Sequence, residues 1–289
     1  MERVVTIEEV RSILRRPHLE GRTIGLVPTM GALHAGHLSL VEAARRRCDL
    51  VVVSVFVNPT QFGEGEDFDA YPRDLDADAD LLESAGADVL FAPTVATMYP
   101  EGATTRVDPG LLGEVWCGAA RPGHFIGVAT VVTKLLGIVE PDVALFGEKD
   151  YQQLRVIERV VRDLDIDTRI VGCPIVREPD GLALSSRNRY LSADDRTHAL
   201  VLSRALASTQ RAVAAGVANV VQLEAELAAT IASEPGVTLD YAAIVDARTL
   251  ERVTDLRRPA RALVAVRVGS ARLIDNVAIQ SPGVTTPGA

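Results

Sequence analysis

Two histidines three residues apart, His34 and His37, lie in the stretch PTMGALHAGHLSL, with Pro28, Thr29, Met30 and Gly31 before them and Gly36 between them. The stretch directly follows the apolar run from Thr23 to Val27, which reads as a buried strand, and leads into a helical pattern from about Leu38 to Arg47. Small residues at such a turn let backbone come close to a ligand. The helix start adds unpaired N–H groups and a partial positive charge, a setting that favours phosphate. Imidazoles at i and i+3 would face the same way on the first helical turn. Two donors there suit the negative charge that grows on a phosphorus undergoing displacement, and a cationic His37 could also hand a proton to a leaving group. Zinc would need a third ligand at credible spacing, and none follows.

Other segments offer matching chemistry. In GEKDYQQL, Gly147 permits close approach, Lys149 supplies a point charge for phosphates, and Asp150 stands where an N-cap belongs. Gln153, one turn beyond Lys149, would face the same cleft and bind a hydroxyl or carboxylate. Ser185, Ser186 and Arg187 place two hydroxyls beside a guanidinium fork that fits phosphate oxygens. Asn58 and Gln61 leave an apolar run in VNPTQF, where Asn58-Pro59 reads first as a turn. The run Asp74, Asp76, Asp78, Asp80 reads as an exposed helix face rather than a magnesium site, because that ion is held mainly through substrate phosphates. Trp116 and the Gly110–Gly123 region carry no functional signal.

The elements that must position these groups alternate. LVVVSVFV, Leu50 to Val57, is continuously apolar, as a strand covered on both faces should be. An acidic helix from about Leu75 to Ser84 follows, then a strand in ADVLFAP, a helix apolar nearly all round from Gly127 to Val139, a strand from Asp142 to Gly147, a helix from Tyr151 to Leu164 and a strand within Ile166–Val176. Strand–helix alternation predicts βαβ units and an α/β, Rossmann-like, doubly wound parallel sheet that binds ligands beyond its strands' carboxyl ends. Composition then shifts. Pro179-Asp180-Gly181 signals a turn, Ser192 with Asp195 a capping box, and Ala-rich helical stretches at about 193–215 and 219–233 precede strand-like segments. The expected organisation is one domain over 1–176 and a smaller α+β domain over 177–289, serving as a lid with its hinge near 176–181, with a disordered tail at 279–289.

The 289 residues, 24% charged and 47% hydrophobic, describe a globular chain. A net charge of −9 argues against a nucleic-acid partner, and no apolar run is long enough for a membrane span. Cys48, Cys117 and Cys173 are odd in number and widely spaced, so each is expected to be a buried hydrophobe in a reducing cytoplasm.

HAGH matches the H-x-G-H signature of the nucleotidyltransferase superfamily. More narrowly, PTMGALHAGHLSLV, VSVFVNPTQF, AYPR, FGEKDYQQL and DGLALSSRNRYL, in that order, resemble the pantothenate synthetase (pantoate–β-alanine ligase) family. The resemblance implies an ATP-dependent ligase that joins pantoate to β-alanine through a pantoyl adenylate, uses Mg2+ with ATP, and is a homodimer. It implies catalytic roles for His34, His37, Lys149, Ser185, Ser186 and Arg187, the last three as counterpart of a mobile K-M-S-K-S loop. Pro28, Thr29, Met30, Gly31, Gly36, His37, Gly147, Lys149, Asp150, Val176, Leu184, Ser185, Ser186 and Arg187 would contact ATP. Gln61 would bind the second substrate opposite Gln153, with Asn58, Tyr71 and His124 lining that region. Leu184 stands where the family usually has methionine, which would spare main-chain contacts. Two other readings share the chemistry. A cytidylyl- or adenylyltransferase would need a basic pocket for an incoming phosphate, whereas Gln61 and Gln153 are neutral. A nucleotide-binding regulatory module would bind ATP without turnover.

Overall fold

The computed structural model describes residues 1–63, 65–66 and 68–280. Contacts divide the chain into two compact units, residues 1–148 with 152–175 and residues 149–151 with 176–289.

The first unit runs β1 (Glu2–Val4), α1 (Ile7–Leu19), β2 (Ile24–Thr29), α2 (Ala35–Arg45), β3 (Leu50–Val55), α3 (Leu75–Ser84), β4 (Val89–Phe91), α4 (Val95–Met98), α5 (Cys117–Ala120), α6 (His124–Val139), β5 (Val143–Gly147), α7 (Tyr151–Asp163, whose first residue groups with the second unit) and β6 (Arg169–Cys173). All its strand pairs are parallel, in the order β1-β4-β3-β2-β5-β6. The chain winds from β2 outward through β3 to β4, then crosses to β5 on the other side of β2. The loops after β2 and β5 therefore part at the topological switch point, where such sheets leave a crevice for ligands. β3 is buried along almost its whole length, and Val27, Val51, Val53, Leu90 and Leu145 form a core with Leu40, Val41 and Leu82 of α2 and α3. The cysteines are all free and buried.

The second unit has α8 (Ala193–Ala199), α9 (Val201–Ala214), α10 (Val220–Ala232) and an antiparallel sheet β7-β8-β9 (Val237–Asp246, Ala260–Val268, Ala271–Ile279). Leu202, Leu206, Leu223, Leu227 and Ile231 pack on Ala262, Val264, Val266 and Leu273, so helices cover one face of this sheet.

Several boundaries differ from expectation. The first 22 residues hold an edge strand and a helix that periodicity did not reveal, although Thr6 and Glu9 form a capping box that marks its start. The helix after β2 starts at Ala35, because His34 itself caps it. The stretch at 193–215 is two helices divided at Leu200. Of the expected tail, Ile279 ends β9 and pairs with Ala260, while residues 281–289 lie outside the described residues. The acidic run is not wholly an exposed face. Asp78 is 3% exposed and points inward.

Candidate active site

The loop after β2 is held from beneath. Thr29 Oγ1 donates to the Ser54 carbonyl at 2.8 Å, and Asp78 receives the N–H groups of Ala32 and Leu33 at 2.9 and 2.8 Å. Two charge-assisted bonds compensate the burial of that carboxylate. Gly31 has φ +81°, and a Cβ there would lie 2.8 Å from Asp78 Oδ2, so both conformation and space demand glycine.

The two histidines make a capping box of unusual composition. His34 is the N-cap of α2, and its Nδ1 accepts the Gly36 N–H at 3.2 Å, while His37 Nδ1 accepts the His34 N–H at 3.4 Å. Their rings lie 4.1 Å apart, tilted by 33°. In both rings it is Nδ1 that faces a backbone N–H group. With Nδ1 of each ring turned to a main-chain N–H, each imidazole would meet a ligand through its Nε2.

After β3, Asn58 is turned to internal use. Its Oδ1 accepts from the Thr60 N–H and hydroxyl and from Tyr99 Oη, and its Nδ2 donates to the Gly127 carbonyl and to Gln61 Oε1. Because the Thr60 N–H can only donate, the order of donors and acceptors in this chain is settled. Gln61 must present its Nε2, which donates to Met30 Sδ at 3.0 Å. Gly127 lets α6 press on this turn, since a Cβ there would fall 2.3 Å from the Thr60 carbonyl oxygen.

The Gln61 main chain is anchored as well. Its carbonyl accepts from His124 Nδ1 at 2.8 Å and from Arg121 at 3.2 Å, Arg121 donates to His124 Nε2 at 3.0 Å, and Arg121 also forms a two-pronged ion pair with Glu66 at 2.6 Å. Both ring nitrogens of His124 are thus engaged within the protein. The Arg121 guanidinium holds the Glu66 carboxyl down to about 2. Tyr71 is buried edge-on against Phe62. Gln153 is half-buried on α7, and the neighbouring Gln152 bridges Cys117 N–H and the carbonyls of Leu112 and Val115.

Gly147 ends β5 in the first unit, and Glu148–Asp150 form a 3-10 turn entering α7. The remaining predicted groups, from Lys149 onward, belong to the second unit apart from Gln153. Lys149 and Ser185 line one small cleft of about 10 Å³, with Asn188 and Asp275. The Leu184 N–H donates to the Val176 carbonyl, a main-chain contact indifferent to the leucine side chain. Ser185 Oγ caps the turn Ser186–Tyr190 by accepting the Arg187 N–H.

The family model described as pantoate-beta-alanine ligase matches residues 2–278. The chain belongs to this family. The pantothenate synthetase of Rubrobacter xylanophilus is 56% identical over 279 residues, covering 94% of this chain and 96% of that protein; that of Heliobacterium modesticaldum is 54% identical, covering 97% and 100%. Among solved structures, pantothenate synthetase from Thermus thermophilus superposes with a TM-score of 0.90 at 51% identity, covering 96% and 99% of the two chains. Pantoate-beta-alanine ligase from Francisella tularensis, complexed with beta-gamma ATP and beta-alanine, gives 0.79 at 38%, covering 96% and 97%.

Within this ligase-family chain, four groups brace the candidate segments without a motif of their own: Asp78 holds the β2 loop, Arg121 with Glu66 holds the Gln61 carbonyl, and Gln152 ties α7 to the segment Leu112–Cys117. Arg121, three residues before His124, and Gln152, directly before Gln153, stood beside residues already singled out, and Asp78 lay within the acidic run.

Proposed function

We infer that the chain condenses D-pantoate with β-alanine, using ATP and forming AMP and pyrophosphate. A pantoate carboxylate oxygen attacks the α-phosphorus of ATP, the bond to the β-phosphate oxygen breaks, and pyrophosphate leaves. The β-alanine amine then attacks the acyl carbon of pantoyl adenylate, AMP departs with the carbon–oxygen electron pair, and the amine gives up a proton. Family membership supports this reaction, and the single structural observation that carries the site reading is the histidine pair capping α2 at the switch point.

In this reading His34 and His37 donate through Nε2 to phosphate oxygens as charge grows there, and Lys149, Ser185, Ser186 and Arg187 follow it onto pyrophosphate. The N-terminal N–H groups of α2 and the glycine at 31 receive the nucleotide. Gln61, fixed as a donor, addresses a carboxylate or hydroxyl oxygen of pantoate, with Gln153 as its counterpart. Holding both reactants accounts for roughly 7–11 kcal/mol of the barrier. MgATP is the substrate form, its metal carried mainly by the phosphates. A homodimer in a reducing cytoplasm completes the proposal, the compartment supported by three free buried cysteines.

The test is AMP and pyrophosphate release from MgATP, with pantoate and β-alanine supplied singly and together. Sustained AMP release that needs both, and about one pyrophosphate per site with pantoate alone, supports the ligase. Turnover only with a phosphorylated substrate, or ATP binding without turnover, overturns it.

A further inference from the structure

Lys149 is built into the second unit by its main chain rather than its side chain. Its carbonyl accepts from Asn276 Nδ2 on β9 at 2.9 Å. Asn276, 2% exposed, is itself fixed: its Oδ1 accepts from Arg261 Nε on β8 at 2.7 Å, and its N–H donates to Asp275 at 2.7 Å. Arg261 in turn lies over the ring of Tyr151, 3.9 Å from its centroid, and the Tyr151 hydroxyl donates to the Ala247 carbonyl at 2.9 Å. The three residues 149–151 are thus clasped at both ends by β8, β9 and the turn after β7. Next to Asn276, the buried Asp275 takes a two-pronged ion pair from Arg177, at 2.7 and 2.9 Å. Arg177 also bridges Ala183 in the segment that leads to Ser185.

Burying an arginine, an asparagine and an aspartate in so small a unit is unfavourable unless every partner is in place, and such networks specify one arrangement more than they add stability. The arrangement specified here is the place of the Lys149 backbone. A lysine stem has four rotatable bonds, so the charge it delivers is only as well placed as its Cα. The side-chain ammonium adds little of its own: its ion-pair partner, the Asp150 carboxylate, stands at 3.9 Å.

We propose that Asn276, oriented by Arg261, is a positioning residue for nucleotide binding and acts through the main chain of Lys149. This rests on the reading of Lys149 as a phosphate ligand. Asn276 emits no motif signal, and its distance of 127 residues from Lys149 hides the relation from the sequence.

The test is a double-mutant cycle of Asn276→Ala and Lys149→Ala, read by calorimetric binding of the non-cleavable analogue α,β-methylene-ATP and by KM for ATP and for pantoate. Asn276→Ala is expected to weaken the analogue and raise KM for ATP about tenfold with KM for pantoate unchanged, and to add nothing in the Lys149→Ala background. Asn276→Asp keeps an acceptor for Arg261 but gives Lys149 no donor, and is expected to behave likewise, which guards against a folding defect in the alanine variant. A loss that persists at full size without the lysine, or wild-type binding in both Asn276 variants, overturns the proposal. If Lys149→Ala itself binds the analogue like wild type, the phosphate-ligand reading falls, and this inference with it.

Discussion

Asp78 on α3 receives the main-chain N–H of Leu33 at 2.8 Å, across 45 residues of sequence, and so pins the loop that presents the paired histidines. Asp78→Asn keeps the shape but turns an acceptor into a donor facing an N–H group. Urea unfolding should show a loss of about 2 kcal/mol, the order expected for a buried bond to a charged group. kcat should fall further than folding alone explains.

His34 caps α2, and the proposed function gives it a second, separable duty, donating from Nε2. Asparagine is among the best N-caps, so His34→Asn should leave stability within about 0.5 kcal/mol of wild type. The same variant should lower kcat by roughly 10²–10³, as removal of one transition-state donor does. Parallel melting curves and steady-state rates separate the two duties, and unchanged kcat would refute the donor role.

Two glycines of α6 should answer oppositely to alanine. Gly127→Ala drives a Cβ to 2.3 Å from the Thr60 carbonyl oxygen, so stability should drop by about 1–3 kcal/mol and KM for pantoate rise as Gln61 shifts. Gly137→Ala meets nothing within 4 Å and should stabilise by about 0.5–1 kcal/mol through helix propensity. Thermal melts of the two variants decide it.

The Glu66–Arg121 pair predicts a pH dependence. The carboxyl is held down to about 2 from an ordinary 4.5, so its folded pKa is the lower one. Its contribution is therefore complete above the unfolded value and is lost as pH falls from about 4.5 towards 2. Discounted for solvent screening of a partly exposed pair, the effect is on the order of 2 kcal/mol. Wild type should exceed Glu66→Gln in stability by a constant margin at neutral pH, and denaturation measured down the acid range should show the margin closing. A margin independent of pH would mean that the pair is not the cause.

Much of the reaction chemistry could be read from local pattern. A strand that runs into small residues and then a helix start favours an anion whatever surrounds it, because the N–H groups and the dipole belong to the helix itself. Apolar runs between helical periods foretold a parallel sheet, and hence a crevice at its carboxyl edge. The opening edge strand was too short to show a period, and α1 carries Pro17 near its end, which weakened its pattern.

What the sequence by itself determined is therefore the family and the parallel-sheet fold, and it supplied the segments on which the proposed reaction relies: the residues around His34 and His37, Gln61, Lys149 and Ser185–Arg187. Tertiary structure alone decided how those residues are presented. The setting of the two imidazoles follows from two backbone N–H groups that meet their Nδ1 atoms, and the donor face of Gln61 from the Thr60 N–H acting through Asn58. The set of the β2 loop follows from Asp78, and the place of the Lys149 backbone from Asn276. The physical reason is range. Propensity and capping act within a turn or two, whereas a buried carboxylate or amide is satisfied by whichever N–H or C=O the fold brings to it, and no local pattern records that partner.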